Sequence, residues 1–300
     1  MNQPVIEVRD LTRRFGARAA LDRVSLSVAR GAVHGLVGAN GAGKTTLIRH
    51  ILGQLRAESG SVRVFDLDPT ADPVRVLSRI GSLSEENDLP GWMRVDELIR
   101  YTRAFFKGWD NAYAEELRRT FELDPAARIK TLSKGQKARA GLLIALAHRP
   151  DLLVLDEPSS GLDPIVRRDI LAAVIRTIAE DGRTVLFSSH LLDEVEAVAD
   201  HVTMISHGKV VQSAPLQALK QSHRAVSVRF SEVRQRPPDV TGVLRWDGAG
   251  RDWTAVCRDG AELHTAAAGW NALIVTERAP TLDELFFAHA GLHAASRPDE

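Results

Sequence analysis

Eight consecutive residues have the types and spacing of a loop that binds phosphate. The stretch GANGAGKT at 38–45 fits the pattern G-x-x-x-x-G-K-[ST], between a predicted strand at 33–38 and a predicted helix at 44–53. Its glycines let backbone N–H groups turn toward phosphate oxygens, and the helix N-terminus adds partial positive charge. The pattern predicts a nucleotide site in which Lys44 reaches the β- and γ-phosphates and the Thr45 hydroxyl ligates Mg²⁺. A glycine-rich turn with a chance lysine is the alternative.

A second group of chemically capable residues ends an apolar strand. The stretch LLVLDEP at 152–158 carries two adjacent carboxylates, Asp156 and Glu157. Such a pair is by itself as often a turn or a helix cap as a functional site. Beside a phosphate loop, Asp156 is placed to hold Mg²⁺ through water and Glu157 to polarise an attacking water.

His190 ends the next apolar run, TVLFSSH at 184–190. A histidine at the edge of a sheet is commonly a structural residue with its hydrogen bonds satisfied. Ligands of parallel sheets gather at the carboxyl ends of the strands, which places His190 beside the two carboxylates. There it can contact a γ-phosphate or hold the water and Glu157 in place.

Composition limits the class of protein. The chain has 300 residues, enough for one large and one smaller domain, and 39 basic residues balance 39 acidic ones. Binding to nucleic acid or anionic lipid by bulk charge is not expected. Cys257, the only cysteine of the chain, can form no internal disulfide, which favours a reducing compartment. The first ten residues lack a signal-peptide pattern, and no window approaches the roughly 18–20 apolar residues that span a bilayer.

The elements that must position these residues follow from hydrophobic patterning. Alternating runs at 5–11, 24–28 and 61–65 predict a small antiparallel sheet, and the buried runs at 33–38, 152–156 and 184–190 predict parallel strands. Helical patterns lie around 164–180 and 191–199. We therefore predict an α/β fold with right-handed crossovers and a helical region at about 89–148.

The composition shifts after about Leu219. Residues 221–300 contain four short strand patterns, a plausible DGAG hairpin turn, and a final helix with a Thr281–Glu284 capping box and a stop at Gly291. The domain prediction is 1–220 for a larger domain that carries the phosphate loop, and 221–300 for a small accessory α+β domain.

Five motifs in order resemble the ATP-binding subunit of an ABC transporter: GANGAGKTT, LSKGQ (132–136), LLVLDEP, SGLD (160–163) and SSH (188–190). The resemblance covers about residues 4–215. It implies a P-loop NTPase core that uses ATP and Mg²⁺, with a mainly parallel sheet, an antiparallel β subdomain and a helical signature subdomain. It also implies that the aromatic ring of Phe15 stacks on adenine, although a core role for that ring is an alternative. The implied ATP-binding residues are Phe15, Gly38, Ala39, Asn40, Gly41, Ala42, Gly43, Lys44, Thr45 and Thr46.

The LSKGQ stretch raises a geometric question, because one chain cannot easily apply both it and the phosphate loop to one nucleotide. The resemblance implies that two ATPase units, either two copies or a copy and a homologue, pack head to tail. Each signature then meets the γ-phosphate bound by Lys44 of the other unit. The residues implied to contact the partner's ATP are Ser133, Lys134, Gly135, Gln136 and Asp163. Ser133 can also act simply as a helix cap.

Two positions depart from the family pattern. Lys134 stands where the signature usually has its first glycine, which is tolerable if that residue needs no positive φ. Glu85, in IGSLSEENDLP at 80–90, stands where the family places a glutamine. A carboxylate there can still ligate Mg²⁺, but it adds negative charge near the phosphates.

The resemblance also implies a separate membrane-spanning permease subunit and a place on the cytoplasmic face of the membrane. Segment 86–109 lies where the family receives that subunit, with Trp92 and Met93 in the receiving groove. The stretches around FFKGWD and APTLDELFFAHA resemble ATPases of bacterial exporters. An alternative class is a soluble ABC ATPase acting on ribosomes or DNA, which the single cassette and missing heptad run disfavour. The LSKGQ and SGLD pair argues against a third class, small-molecule P-loop kinases.

Overall fold

The computed structural model describes residues 3–86 and 88–295, without the side chains of 173, 174, 176–181 and 292–295. Asn87, within the predicted receiving segment, and 296–300 of the predicted accessory domain lie outside the described residues. The chain forms two compact units, Met1–Val210 and Val211–Glu300. That division falls ten residues before the boundary expected at 220.

The described elements alternate strands and helices along most of the chain. The strands are β1 Ile6–Phe15, β2 Arg18–Val28, β3 Val33–Val37, β4 Ser59–Val64, β5 Ile80–Leu83, β6 Leu152–Asp156, β7 Thr184–Ser189, β8 His201–Ser206, β9 Lys209–Pro215, β10 His223–Arg234, β11 Val243–Arg258 and β12 Leu273–Arg278. The helices are α1 Lys44–Ile51, α2 Pro73–Leu77, α3 Val95–Arg103, α4 Asn111–Thr120, α5 Lys134–Leu146, α6 Pro164–Asp181, α7 Leu192–Val198, α8 Leu216–Gln221, α9 Ala261–Gly269 and α10 Leu282–Ala295.

The central sheet has the strand order β5-β6-β7-β3-β8-β9. The pairs β5–β6, β6–β7, β7–β3 and β3–β8 are parallel. Every residue of β3, β6 and β7 is buried, as the continuous apolar runs predict for strands covered on both faces. The predicted α/β class with a mainly parallel sheet is confirmed.

Strand register brings the functional ends together. Val37 of β3 pairs with Ser189 of β7, and Asp156 of β6 pairs with Ser188. The loop after β3 and the residues after β6 and β7 therefore begin at one edge of the sheet. This is the edge at which ligands of parallel sheets bind.

A second sheet in the same unit has the order β2-β1-β4, with both pairings antiparallel. It contains the three predicted alternating strands, of which β1 and β2 are longer than their patterns indicated. Phe15 is the last residue of β1 and pairs with Arg18 across the turn. This turn places Phe15 and Arg18 beside the phosphate loop.

Two helices of the helical region begin with capping side chains, and one of them is Ser133, as predicted. Asp110 accepts a hydrogen bond from the Tyr113 N–H at the start of α4. At the start of α5, Ser133 Oγ accepts from the Gln136 N–H at 3.1 Å and Gln136 Oε1 accepts from the Ser133 N–H at 3.0 Å. These reciprocal bonds satisfy two donors that a helix end leaves without partners.

The second unit contains a three-stranded sheet of order β11-β10-β12 and the last helices. Strand β11 has 16 residues, but the chain reverses direction within it. A methyl group on Gly248 would collide with the Asp252 carbonyl oxygen, so these two residues lie close together. In a fully extended strand, four residues would separate them by about 13 Å. This reversal lies at the DGAG stretch.

Two local expectations in this unit failed. Helix α9 was not predicted, because its AELHTAAAG sequence has no clear apolar stripe. The expected stop at Gly291 is wrong, since α10 continues to Ala295. A glycine inside a helix costs only about 1 kcal/mol, and helix-forming residues follow it. The Thr281–Glu284 capping box is present, with bonds of 2.8 and 3.2 Å.

Candidate functional site

The phosphate loop connects β3 to α1 and depends on its glycines. Gly41 and Gly43 have φ angles of 75° and 114°, in the left-handed region that side chains disfavour. A Cβ on Gly43 would also lie 2.6 Å from the Ala20 carbonyl oxygen. Helix α1 starts at Gly43 with no side-chain cap. Its first N–H groups are therefore available to an anion.

Lys44 is buried at the base of this loop, with 5% of its side chain exposed. Its Nζ donates to the carbonyl oxygens of Gly38, at 2.5 Å, and Ala39, at 3.3 Å. Nζ also lies 2.9 Å from Oε1 of Glu157. The ammonium group is therefore held between the loop and the carboxylate, and it must leave Glu157 to approach a phosphate.

Asp156 and Glu157 are fixed by Ser188 on the neighbouring strand. Ser188 Oγ donates to Asp156 Oδ1 at 2.7 Å and accepts from the Glu157 N–H at 3.0 Å. The backbone of Glu157 has a φ of 49°. Left-handed backbone at a non-glycine residue is unfavourable and concentrates at functional sites. Ser188 thus supports the strained turn that places the Glu157 carboxylate at the sheet edge.

His190 completes a chain of contacts. Its Nδ1 lies 2.6 Å from Glu157 Oε2, and its backbone N–H donates to the same oxygen at 3.3 Å. An ionised carboxylate only accepts hydrogen bonds, so Nδ1 carries the proton in this contact. The other oxygen, Oε1, faces Lys44 Nζ at 2.9 Å in a buried ion pair. Glu157 therefore has one oxygen anchored by His190 and one oxygen paired with the ammonium group at the base of the phosphate loop.

A cleft of about 530 Å³ lies over the phosphate loop. Phe15, half exposed, lies in its wall, and the Arg13 guanidinium sits 4.9 Å from the centre of the Phe15 ring. The cleft is lined by Phe15, Arg18, Ala20, Asn40, Gly41, Gly43, Lys44, Thr45, Thr46, Glu85 and Glu157. An aromatic ring, a phosphate loop and a carboxylate in one cleft suit a purine nucleoside triphosphate.

The residues expected to hold Mg²⁺ share an adjoining cleft of about 460 Å³, whose lining includes Thr45, Glu85 and Asp156. Thr45 and Glu85 line the first cleft as well. Within the described ranges, no three His, Cys, Asp or Glu residues are grouped as a metal site. The donor set fits Mg²⁺, which prefers few protein oxygens together with water and substrate phosphates.

None of the predicted signature residues lines the cleft over the phosphate loop of its own chain. Lys134 lines a small separate pocket of about 50 Å³ together with Glu85 and Glu157. Ser133 is exposed and caps α5 with Gln136. Asp163 Oδ1 accepts from the N–H groups of Ile165 and Val166, at 3.0 and 3.1 Å, at the start of α6.

Two further signature residues face the segments that follow the carboxylates. A Cβ on Gly135 would lie 2.9 Å from Val166 Cγ2, so this glycine also allows α5 and α6 to approach closely. Lys134 is exposed, and its Nζ would lie 2.6 Å from a Cβ on Gly161. Neither residue needs a nucleotide to explain its place in this chain.

Sequence reasoning missed Arg18 and the role of Ser188. Arg18 Nη2 donates to the Gly41 carbonyl at 3.0 Å and lines the cleft. No local pattern marks Arg18, because the strand pairing that delivers it is not visible in the sequence. Ser188 is the first residue of the SSH stretch that contains His190. Its place at the end of the same predicted strand could have indicated that it contacts the two carboxylates.

Comparison with known proteins agrees with this geometry. Residues 21–160 match the ABC transporter family model. The bacitracin transport ATP-binding protein BcrA of Bacillus licheniformis is 33% identical over 73% of this chain and 72% of its own length. The daunorubicin resistance ATP-binding protein DrrA3 of Streptomyces coeruleorubidus is 33% identical over 97% of both chains.

Solved structures show the same fold. An ATP-binding subunit of an ABC transporter superposes with a TM-score of 0.67 and 27% identity, over 72% of this chain and 92% of that one. A dimeric bacterial ABC transporter cassette superposes with a TM-score of 0.64 and 22% identity, over 70% and 98%. With the phosphate loop, the paired carboxylates and the histidine at one sheet edge, these likenesses identify the chain as a member of the ABC transporter family, an ATP-binding subunit with ATPase activity.

Proposed function

We propose that Glu157 is the group that activates water in ATP hydrolysis, with His190 holding the carboxylate in position. The observation that carries this proposal is the arrangement of Glu157 at the cleft: His190 anchors Oε2 at 2.6 Å, while Oε1 faces Lys44 Nζ at 2.9 Å. When Lys44 turns to the phosphates, a water donating to Oε1 would take its place and point a lone pair into the cleft. Lys44 stabilises the charge that develops on the transferring phosphoryl group.

The phosphate loop, with Asn40, Gly41, Gly43 and its neighbours, binds the phosphates through backbone N–H groups, and Phe15 stacks on the base. Thr45 and Asp156 would hold Mg²⁺, with Glu85 beside them in the same cleft. The ion would supply positive charge that offsets part of the negative charge of the phosphates.

We further propose that two ATPase subunits pack head to tail, so that the LSKGQ stretch of one faces the ATP of the other. The support is the location of Ser133: exposed, at the N-terminus of a 13-residue helix, and absent from the cleft of its own chain. Exposed N–H groups at such a helix end favour an anion. A γ-phosphate that bridges two subunits would make dimer closure depend on ATP and reopening depend on hydrolysis.

A membrane-spanning permease is the third component of the proposal. No helix in the described ranges has the length and apolarity to cross a bilayer. In segment 86–109, Trp92 and Phe105 are 67% and 64% exposed. Tyr101 stacks edge-on against Phe105 at 5.1 Å. Exposed aromatic residues are typical anchors of protein interfaces. Met93, expected in the same groove, is buried and belongs to the core.

The names of two relatives suggest a class of cargo. One is named for bacitracin transport and the other for daunorubicin resistance. We propose that this chain powers an exporter of drug molecules from the cytoplasmic face of a membrane. Selectivity for cargo would then reside in the permease.

The dimer is tested with the variant Glu157→Gln, whose slow turnover should trap the ATP state. Size-exclusion chromatography with light scattering should show a dimer with ATP and Mg²⁺ and a monomer with ADP. Adding Ser133→Arg should abolish the dimer while ATP binding persists, because Ser133 lies outside the chain's own cleft. A monomer of Glu157→Gln saturated with ATP would contradict the head-to-tail arrangement.

The membrane partner is tested by affinity purification from detergent-solubilised membranes of the native host. The wild-type chain should retain one integral membrane protein, identified by mass spectrometry. Trp92→Ala with Phe105→Ala should release it, while Val233→Ala, another exposed apolar residue (72% exposed), should not. Equal retention by the two variants would refute this docking surface.

A further inference from the structure

Glu194 is a buried carboxylate outside the nucleotide cleft. It lies on α7 and is 6% exposed. Its Oε2 accepts hydrogen bonds from Ser159 Oγ at 2.5 Å and from Ser189 Oγ at 3.5 Å. Both serines are almost completely buried, at 1% and 0% exposure. One carboxylate therefore joins two segments that are 30 residues apart in the chain.

Each of these serines belongs to a segment that carries a proposed site residue. Ser159 lies two residues after Glu157 and four before Asp163. Its carbonyl accepts from the Leu162 N–H at 3.1 Å, within the turn that leads to Asp163. Ser189 directly precedes His190, and its Oγ accepts from the Leu191 N–H at 3.0 Å. The serines thus fix the turns on either side of the Glu157–His190 contact.

Packing alone does not explain the carboxylate. Leu192 and Val195 of α7 are buried at 6% and 0% exposure and supply an apolar face. Glu194 Oε1 has no hydrogen-bond partner among the described residues. Burial raises the pKa of Glu194, against the Ser159 hydrogen bond and the charge of Arg167. A buried, incompletely satisfied carboxyl group is unfavourable for folding, so a role in positioning gives a reason for its presence.

We propose that Glu194 is a positioning residue for ATP hydrolysis, which holds the segments 157–163 and 188–190 in one fixed relation. Through Ser159 and Ser189 it keeps the His190 imidazole against Glu157. It would also hold the Asp163 segment, which is expected to contact the second subunit's ATP in the proposed dimer, in a fixed position relative to His190. This inference rests on the proposed roles of Glu157 and His190.

The test compares Glu194→Gln with the wild type in steady-state ATPase assays. Glutamine keeps the size of the side chain but points an N–H₂ group or a neutral oxygen at the serines. We expect kcat to fall about 10- to 100-fold, the loss that misplacing reacting groups by about 1 Å produces. The KM for ATP and the melting temperature should stay near the wild-type values, because Glu194 does not line the cleft. Glu116→Gln, an exposed helical glutamate, is the matched control and should keep wild-type kcat.

A double-mutant cycle supplies the readout that a purely structural role would not move. As a single change, Ser159→Ala should lower kcat. In the Glu194→Gln background it should have little further effect, because both changes break the same Ser159–Glu194 hydrogen bond. The proposal would be overturned if the two losses of kcat were additive, or if kcat did not change. A fall in melting temperature and a rise in KM as large as the loss of rate would overturn it as well. The variant Lys44→Ala, measured in the same assays, distinguishes a failure of the proposed ATP site from a failure of the proposed role of Glu194. If Lys44→Ala hydrolyses ATP normally, the proposed site is wrong; if only the Glu194 variants behave as wild type, only this inference fails.

Discussion

Neutralising Glu157 should slow hydrolysis and tighten nucleotide binding together. Lys44 Nζ lies 2.9 Å from Glu157 Oε1, and both side chains are 5% exposed. At an effective dielectric constant of 20 that distance gives an attraction of about 6 kcal/mol, most of which desolvation offsets in a buried pair. In Glu157→Gln the ammonium group is released toward the phosphates. A net gain of about 1.4 kcal/mol corresponds to a Kd for ATP about tenfold lower.

The same variant should lose about 10²–10⁴ in kcat, the usual contribution of a general base, or about 3–5 kcal/mol of barrier. Equilibrium binding of labelled ATP and single-turnover hydrolysis measure the two effects separately. ADP binding should tighten as well, because Lys44 also reaches the β-phosphate, and Glu116→Gln should change neither quantity. A kcat within tenfold of wild type, or weaker ATP binding by the variant, would refute the reasoning.

Three further predictions concern other parts of the site and the core. Lys44→Ala should weaken ATP binding by at least tenfold in a filter assay, since it removes the buried cation of the loop; undiminished binding would contradict the role of Lys44. Phe15→Ala should raise the Kd for ATP about 2- to 12-fold, because it removes a stacking contact worth about 0.5–1.5 kcal/mol. Phe15→Tyr should keep the wild-type Kd. If the two variants bound ATP with equal affinity, Phe15 would have a packing role instead. Burial lowers the pKa of His34 to about 3, so the unfolded state, with a pKa near 6.5, binds the extra proton as pH falls below 6.5. The free energy of unfolding should therefore fall by about 2 kcal/mol between pH 7 and pH 5 because of His34. Urea unfolding of His34→Gln should lack that part of the pH dependence. A pH dependence equal to that of the wild type would contradict this role of His34.

The parts of the site that sequence predicted are those fixed by local rules. The predicted phosphate loop needs glycines, and the structure shows one reason: Gly41 and Gly43 lie in the left-handed region. Continuous apolar runs gave the buried parallel strands, and their parallel direction brings their carboxyl ends to one edge. Asp156 and His190 lie at that edge because Asp156 pairs with Ser188 in the register of β6 and β7.

Contacts between distant segments were beyond such reasoning. Nothing near Lys44 in the sequence indicates that its amino group pairs with Glu157, 113 positions later. Glu194 was equally hidden, since a glutamate in the first turn of a predicted helix is ordinarily an exposed residue that favours the helix dipole. Its burial depends on the serines of two other segments. The sequence shows that Lys44, Glu157 and Glu194 carry charges, but their partners are determined by tertiary packing.

Gly135 shows how a motif and a packing requirement can occupy one residue. The LSKGQ resemblance assigns it to the partner's phosphate, yet in the isolated chain a methyl group there would press against Val166 at 2.9 Å. A Gly135→Ala variant that lost activity would therefore not separate the two roles, because overpacking alone costs about 1–3 kcal/mol. Ser133 separates the two roles, because it is exposed and its side chain hydrogen-bonds to Gln136 in the capping box. Changing it should therefore cost the fold about as much as the loss of one helix cap, roughly 1 kcal/mol. A larger effect of Ser133→Arg on ATP-dependent dimerisation than on melting temperature would be specific evidence that this helix end serves a second subunit.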